Sequence, residues 1–97
     1  MASRSDASHA DDESVLVSRA VAGEAHAFGR LYESHMDAIY RYIYFRVGEP
    51  AQAEDMTEEV FVKAWEALPN YRPTEHPFTS WLYRIAHNLV VDHYRRK

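Results

Sequence analysis

The sequence predicts an all-α domain, a compact bundle of about four helices. Three observations predict it. Apolar residues recur at three- and four-residue steps over long stretches. Gly48, Pro50 and Pro69 fall at the boundaries of those stretches. No segment alternates convincingly like a strand; Tyr40 to Phe45 is rich in aromatic and β-branched residues, but it sits inside a helical period with no turn signal.

The elements follow in order. Residues 1–12 are rich in Ser, Asp, Ala and His and are expected to form a disordered tail, leaving residues 13–97 as the domain. Asp12 or Glu13 precedes the run Ser14 to Val21, a short first helix ending near Gly23. From Ala25, the positions Phe28, Leu31, Tyr32, His35, Met36, Ile39, Tyr40, Ile43 and Val47 trace a long amphipathic helix that Gly48 stops. A third helix is expected from about Ala51 to Leu68. Its core stripe is Ala53, Met56, Val60, Ala64 and Leu68, and Phe61 and Trp65 flank that stripe and read mainly as core. Pro69 to Pro77 is the one long irregular stretch inside the domain. Pro73 and Pro77 each restrain the preceding residue, so the loop should be shaped. A last helix starts near Phe78, with Phe78, Leu82, Ile85 and Leu89 inward and Trp81 widening that face. A chain of 97 residues fits one domain with a modest core.

Composition excludes several function classes. The absence of Cys excludes a disulfide scaffold, a thiolate metal site and a Cys nucleophile. No stretch approaches a membrane span, and the polar first fourteen residues do not resemble a signal peptide, so the cytoplasm is the expected compartment. The three glycines form no phosphate cradle, and the six His form no metal-binding motif. The sequence therefore calls for no cofactor and no metal, and no nucleophile–base set suggests an enzyme.

Charge is distributed unevenly. The net charge is −4, but residues 1–70 carry thirteen Asp and Glu against six Lys and Arg. Residues 71–97 carry five Lys and Arg against two acids. The basic quarter either faces phosphates or complements a helix dipole. Within it, Tyr71, Arg72, His76, Phe78, Trp81, Tyr83 and Arg84 interleave aromatic and basic groups, as surfaces that hold single-stranded nucleic acid do. Phe78, and in part Trp81, read as core; Tyr71 and Arg72 lie in a loop with less core to fill. Arg84, Asn88, Val91 and Arg95 share one side of the last helix, which is either a solvated face or a DNA-contacting one. Glu54, Asp55, Glu58 and Glu59 form an acidic ridge near the start of the third helix. Such a ridge reads as solvated rather than catalytic.

The segments Ala53 to Trp65 and Phe78 to Arg96 together closely resemble region 2 of the extracytoplasmic-function branch of the sigma-70 family. Phe28, Leu31, Tyr32 and the run Ile39 to Val47 are similar to that family's first segment, so the likeness covers about residues 24–97. It implies a domain that docks on the clamp helices of the largest catalytic subunit of RNA polymerase, through Asp55, Glu58, Glu59 and Lys63, with Arg41 contributing. It also implies recognition of the promoter −10 element, with the non-template strand captured as the duplex opens. A base flipped out of the stack would be held by Asn70, Tyr71 and Arg72 in the loop before the last helix. Arg84, Asn88 and Arg95 would contact nearby DNA, and Arg95, Arg96 and Lys97 would bind phosphates. An anti-sigma protein is a further implied partner. Full-length members ordinarily carry a second domain for the −35 element, and the resemblance places none within these 97 residues. Position 58 is Glu where the family often has Gln, which makes the docking ridge more acidic. The alternative to a promoter-binding module is a sigma-like helical domain that binds only protein. The two differ in whether Tyr71, Arg72, Asn88 and Arg95 share one exposed face beside a base-sized cleft.

Overall fold

The chain is described here by a computed structural model covering residues 13–96. Four α-helices account for most of it: α1 (residues 13–21), α2 (Ala25–Val47), α3 (Pro50–Ala67) and α4 (Phe78–Arg95). A short 3-10 turn, Leu68–Asn70, follows α3. The fold class matches the expectation, and no residue among those described is in a strand.

The apolar periodicity sets the packing. Leu31, Ile39 and Ile43 of α2, Val60 and Ala64 of α3, and Leu82 and Ala86 of α4 are fully enclosed. α2 packs on α3, and α4 closes over both. α1 adds Val17 and Ala20 to the same core. Glu13 on α1 bonds to His35 Nε2 of α2 at 3.2 Å, and Arg19 meets Glu24 at 2.8 Å, where α1 gives way to α2.

Local chemistry places the ends. Gly48 closes α2 in the left-handed conformation, φ 76°, with its N–H donating to the Tyr44 carbonyl. Next in the chain, Glu49 accepts a hydrogen bond from the Gln52 N–H, and Pro50 occupies the first turn of α3. The chain thus passes from α2 to α3 in two residues. A Cβ at position 48 would meet no neighbour, so the cost of Gly48→Ala is conformational alone. Gly48→Ala is expected to lower unfolding free energy by about 1 kcal/mol, and Gly48→Asn by less, as read by urea denaturation.

The core differs from the sequence expectation in three places. Ile85 is half-buried, and Ala86 and Val90 complete the α4 stripe instead. Trp65, assigned to the core, is 38 % exposed, whereas its flanking partner Phe61 is buried. Tyr71, placed in a loop with little core to fill, is buried at 5 % exposure. The expected tail, residues 1–12, and Lys97 lie outside the described residues.

Candidate nucleic-acid and protein interface

The loop before α4 is held from inside. Tyr71 turns its ring into the bundle, 4.6 Å from Trp81 and 6.1 Å from Phe78. Its hydroxyl donates to the His76 carbonyl, tying the two ends of the loop together. The N–H groups of Glu75 and His76 both donate to the Arg72 carbonyl, which closes the turn between them. The loop is therefore shaped by a buried aromatic anchor as well as by its two prolines. Burial pushes the Tyr71 phenol above its usual pKa.

This corrects the reading of Tyr71 as an exposed loop platform: its ring face rests on Trp81. Asn70 and Arg72, on either side of it, are exposed. An open cleft of about 570 Å³ lies between α1 and the loop. Tyr71, Pro73, Pro77 and Phe78 line one side of it, and Ser14 and Val17 the other.

On α4, Arg84, Asn88 and Arg95 are exposed and recur at helical spacing on one side. Arg96 is exposed just beyond the helix and lines a groove between α3 and α4, together with Glu59, Lys63 and Asp92. Asn88 lines a second, adjoining stretch of that groove, again with Lys63 and Asp92. Among the described residues, the ion pairs are those of Arg19 with Glu24 and Glu13 with His35. Arg84, Arg95 and Arg96 thus present guanidinium groups without a carboxylate partner there.

α3 divides the acidic set. Asp55, Glu58, Glu59 and Lys63 are all exposed, but they do not share one surface. Glu59 and Lys63 turn toward α4, in the groove just described. Glu58 turns toward α2 and rims an apolar groove of about 430 Å³ formed by Phe28, Tyr32, Phe61, Val62 and Trp65, with Glu66 at its other edge. The Phe28 and Trp65 rings lie 5.1 Å apart, and Tyr32 meets Phe61 edge-on at 4.8 Å. Val62 is 56 % exposed on this face. Arg41 is exposed on α2, two residues from buried Ile39 and from buried Ile43, and so faces away from the core.

The apolar groove is the part of the site that the sequence reading missed. A signal was available: Val62 sits on the outer side of α3, about 200° from buried Val60, where a solvated ridge needs no valine. Among the described residues no group of three or more His, Asp or Glu side chains could hold a metal ion, and no helix is long and apolar enough to cross a membrane.

With this geometry in hand, known proteins supply the context. Residues 31–97 match the family Sigma-70 region 2. The chain is 51 % identical over 80 residues to the ECF RNA polymerase sigma factor BldN of Streptomyces coelicolor, covering 82 % of this chain and 30 % of that protein. It is 35 % identical over 79 residues to the ECF RNA polymerase sigma factor SigL of Mycobacterium tuberculosis, covering 81 % of this chain and 45 % of that one. Two solved structures superpose well. One is the RsbN–BldN complex, with TM-score 0.76 and 50 % identity over 82 % of this chain and 58 % of that one. The other is CnrH in complex with the cytosolic domain of CnrY, with TM-score 0.78 and 32 % identity over 87 % and 54 %. The chain spans between about a third and three fifths of the length of these relatives. A family match over most of the chain, high identity and a shared fold agree: the chain belongs to the sigma-70 family, as a region 2 domain of an ECF sigma factor.

Proposed function

We propose that this domain docks on the clamp helices of the largest catalytic subunit of RNA polymerase and holds the −10 element of a promoter, capturing the non-template strand as it separates. The reading is one of binding, with no covalent step required of the protein. The observation that carries it is the separation of two unlike faces on one small bundle. Arg84, Asn88 and Arg95 are exposed together on α4, whereas Glu58 and the aromatic groove lie on the α2 side of α3.

The strand-holding face runs from the loop along α4. Asn70 and Arg72 are exposed on either side of Tyr71 in the chain, and Tyr71 itself lines the cleft between α1 and the loop. An extruded base entering there would leave the stack and present its pairing edge to polar groups. In this reading Tyr71 acts by fixing the loop from beneath. Asn88 offers an amide to a base edge, and Arg84, Arg95, Arg96 and Lys97 hold phosphates. Duplex opening is driven by binding of the separated strand.

The docking face pairs apolar burial with charge. Trp65, Val62 and Phe28 supply apolar and aromatic area, and Glu58 and Glu66 rim it. That rim favours a basic helical partner by charge complementarity. Asp55 lies on the same helix, and Arg41 stands on the outer side of α2 as a more distant contributor. Glu59 and Lys63 sit nearer the strand-holding face and bridge the two. An anti-sigma protein that covers either face would block initiation, and the solved complexes of BldN with RsbN and of CnrH with CnrY make such a regulator the expected third partner.

The alternative, a module that binds only protein, draws support from the burial of Tyr71. Asn88→Ala separates the two readings. The promoter reading expects a loss of about 1–3 kcal/mol in discrimination between the preferred strand and a single-base variant, measured by fluorescence anisotropy, with polymerase docking unchanged. A protein-only module has no such discrimination to lose.

A further inference from the structure

The seam between the end of α2 and the outer side of α4 is built from aromatic and basic side chains to which the reading above gives no role. Arg46, exposed in the last turn of α2, lays its guanidinium 3.7 Å over the Tyr42 ring. Its Nη1 donates to the Tyr42 carbonyl at 3.0 Å. Tyr42 is fixed in turn by α4: its ring meets the Tyr83 ring at 5.2 Å, and its hydroxyl lies 3.4 Å from His87 Nδ1. Further along, the Tyr94 hydroxyl donates to the Arg46 carbonyl. The guanidinium is thus held flat, with one of its N–H groups used and the others left for a partner.

The charge around this seam is one-sided. Residues 38–48, the last half of α2 and its cap, contain Arg41 and Arg46 and no Asp or Glu; Glu49 follows, and its carboxylate accepts from the Gln52 N–H at the start of α3. Residues 78–91 of α4 contain Arg84 and likewise no acid. Asp92 follows, but it lines the groove toward α3. Arg84 adjoins Tyr83 in the chain, and Arg95 adjoins Tyr94, so exposed cations stand beside the seam at both ends. In a chain of net charge −4 this is a cationic strip.

We infer that the seam binds the phosphodiester backbone of a nucleic-acid strand, with Arg46 as its principal contact, and so extends the strand-holding face from α4 onto α2. The inference rests on the strand-binding reading and adds a place to it. The Tyr42 face is occupied by the guanidinium, so bases do not stack there, and the contact is to phosphate and indifferent to sequence. A purely structural role, in which Arg46 only complements the carbonyl end of α2, gives the same contacts but no response to salt in binding.

The test is the salt dependence of binding to a fluorescent, mixed-sequence single-stranded DNA oligonucleotide, beginning at low salt. Arg46→Gln is expected to weaken binding alike for all sequences and to make the slope of log affinity against log salt shallower by about 0.7, the share of one phosphate on a single strand. Arg46→Lys keeps the charge and is expected to keep the slope. A slope unmoved by Arg46→Gln while Arg84→Gln or Arg95→Gln lowers it overturns this inference and leaves the α4 reading standing. Slopes unmoved in every variant, or no binding by the parent domain either alone or with a saturating clamp-helix fragment, overturn both. Thermal denaturation of each variant confirms that the binding compared is that of folded protein.

Discussion

Tyr71→Ala is expected to cost about 3–5 kcal/mol of unfolding free energy, a large share of what holds a domain of this size together. The ring is buried against Trp81 and Phe78, and its removal takes away those contacts and leaves a space beside them. Tyr71→Phe keeps the packing and loses only the hydrogen bond to the His76 carbonyl, for about 1 kcal/mol. Urea denaturation of the pair separates the two contributions. If Tyr71→Ala kept full stability and lost only strand binding, the residue would be an exposed platform after all, and the internal anchoring of the loop would be wrong. Tyr71→Phe is the variant to carry into DNA binding, since it keeps the ring and loosens the tie between the two ends of the loop.

Trp65→Ala is expected to reverse that pattern, with a small change in stability and a large one in docking. The indole is partly exposed and packs on Phe28 at the surface, so its loss leaves no enclosed cavity. As the largest apolar group of the α2/α3 groove it has the character of an interface anchor, and its truncation is expected to cost at least ~2 kcal/mol in binding a polymerase clamp-helix fragment, roughly thirtyfold. Glu58→Arg, which reverses the charge at the rim, is expected to weaken the same complex and to reduce its salt dependence. Isothermal titration calorimetry reads both. Normal docking by these two variants, together with loss of docking in Glu59→Arg, would move the interface to the α3/α4 groove.

The four helices were legible because burial imposes a period on the sequence. Leu31, Ile39 and Ile43 declare the inner side of α2, and Gly48 with Pro50 declares its end. The common side of Arg84, Asn88 and Arg95 was legible for the same reason. Tyr71 was not, because a loop residue belongs to no period, and its burial is decided by Trp81 and Phe78 from a later helix. Trp65 misled in the opposite direction. Its spacing from Phe61 is that of a core residue, but Phe61 meets both Phe28 and Tyr32 of α2 whereas Trp65 meets Phe28, and one is enclosed while the other is not. The Arg46 seam depends on contacts between residues 45 and 48 positions apart, which no local pattern encodes.

The division of the acidic ridge has the same origin. Spacing groups Asp55, Glu58, Glu59 and Lys63 on one helix, but only the positions of α2 and α4 determine which neighbour each faces. Glu59 and Lys63 share a groove with Asn88 and Arg96, so in the proposed function the partner-facing and strand-facing surfaces meet along α3. Docking on one side of that helix is then placed to influence strand capture on the other.

The most direct test of the account is to titrate the domain into a fluorescent library of single-stranded −10-like sequences, with and without a saturating clamp-helix fragment, at two salt concentrations. The account predicts weak binding by the domain alone and sequence-selective binding in the clamp complex, with the selectivity abolished by Asn88→Ala and the salt slope reduced by loss of a strand-face arginine. Clamp binding with no selective strand binding in either condition would contradict it and leave a domain that recognises protein alone.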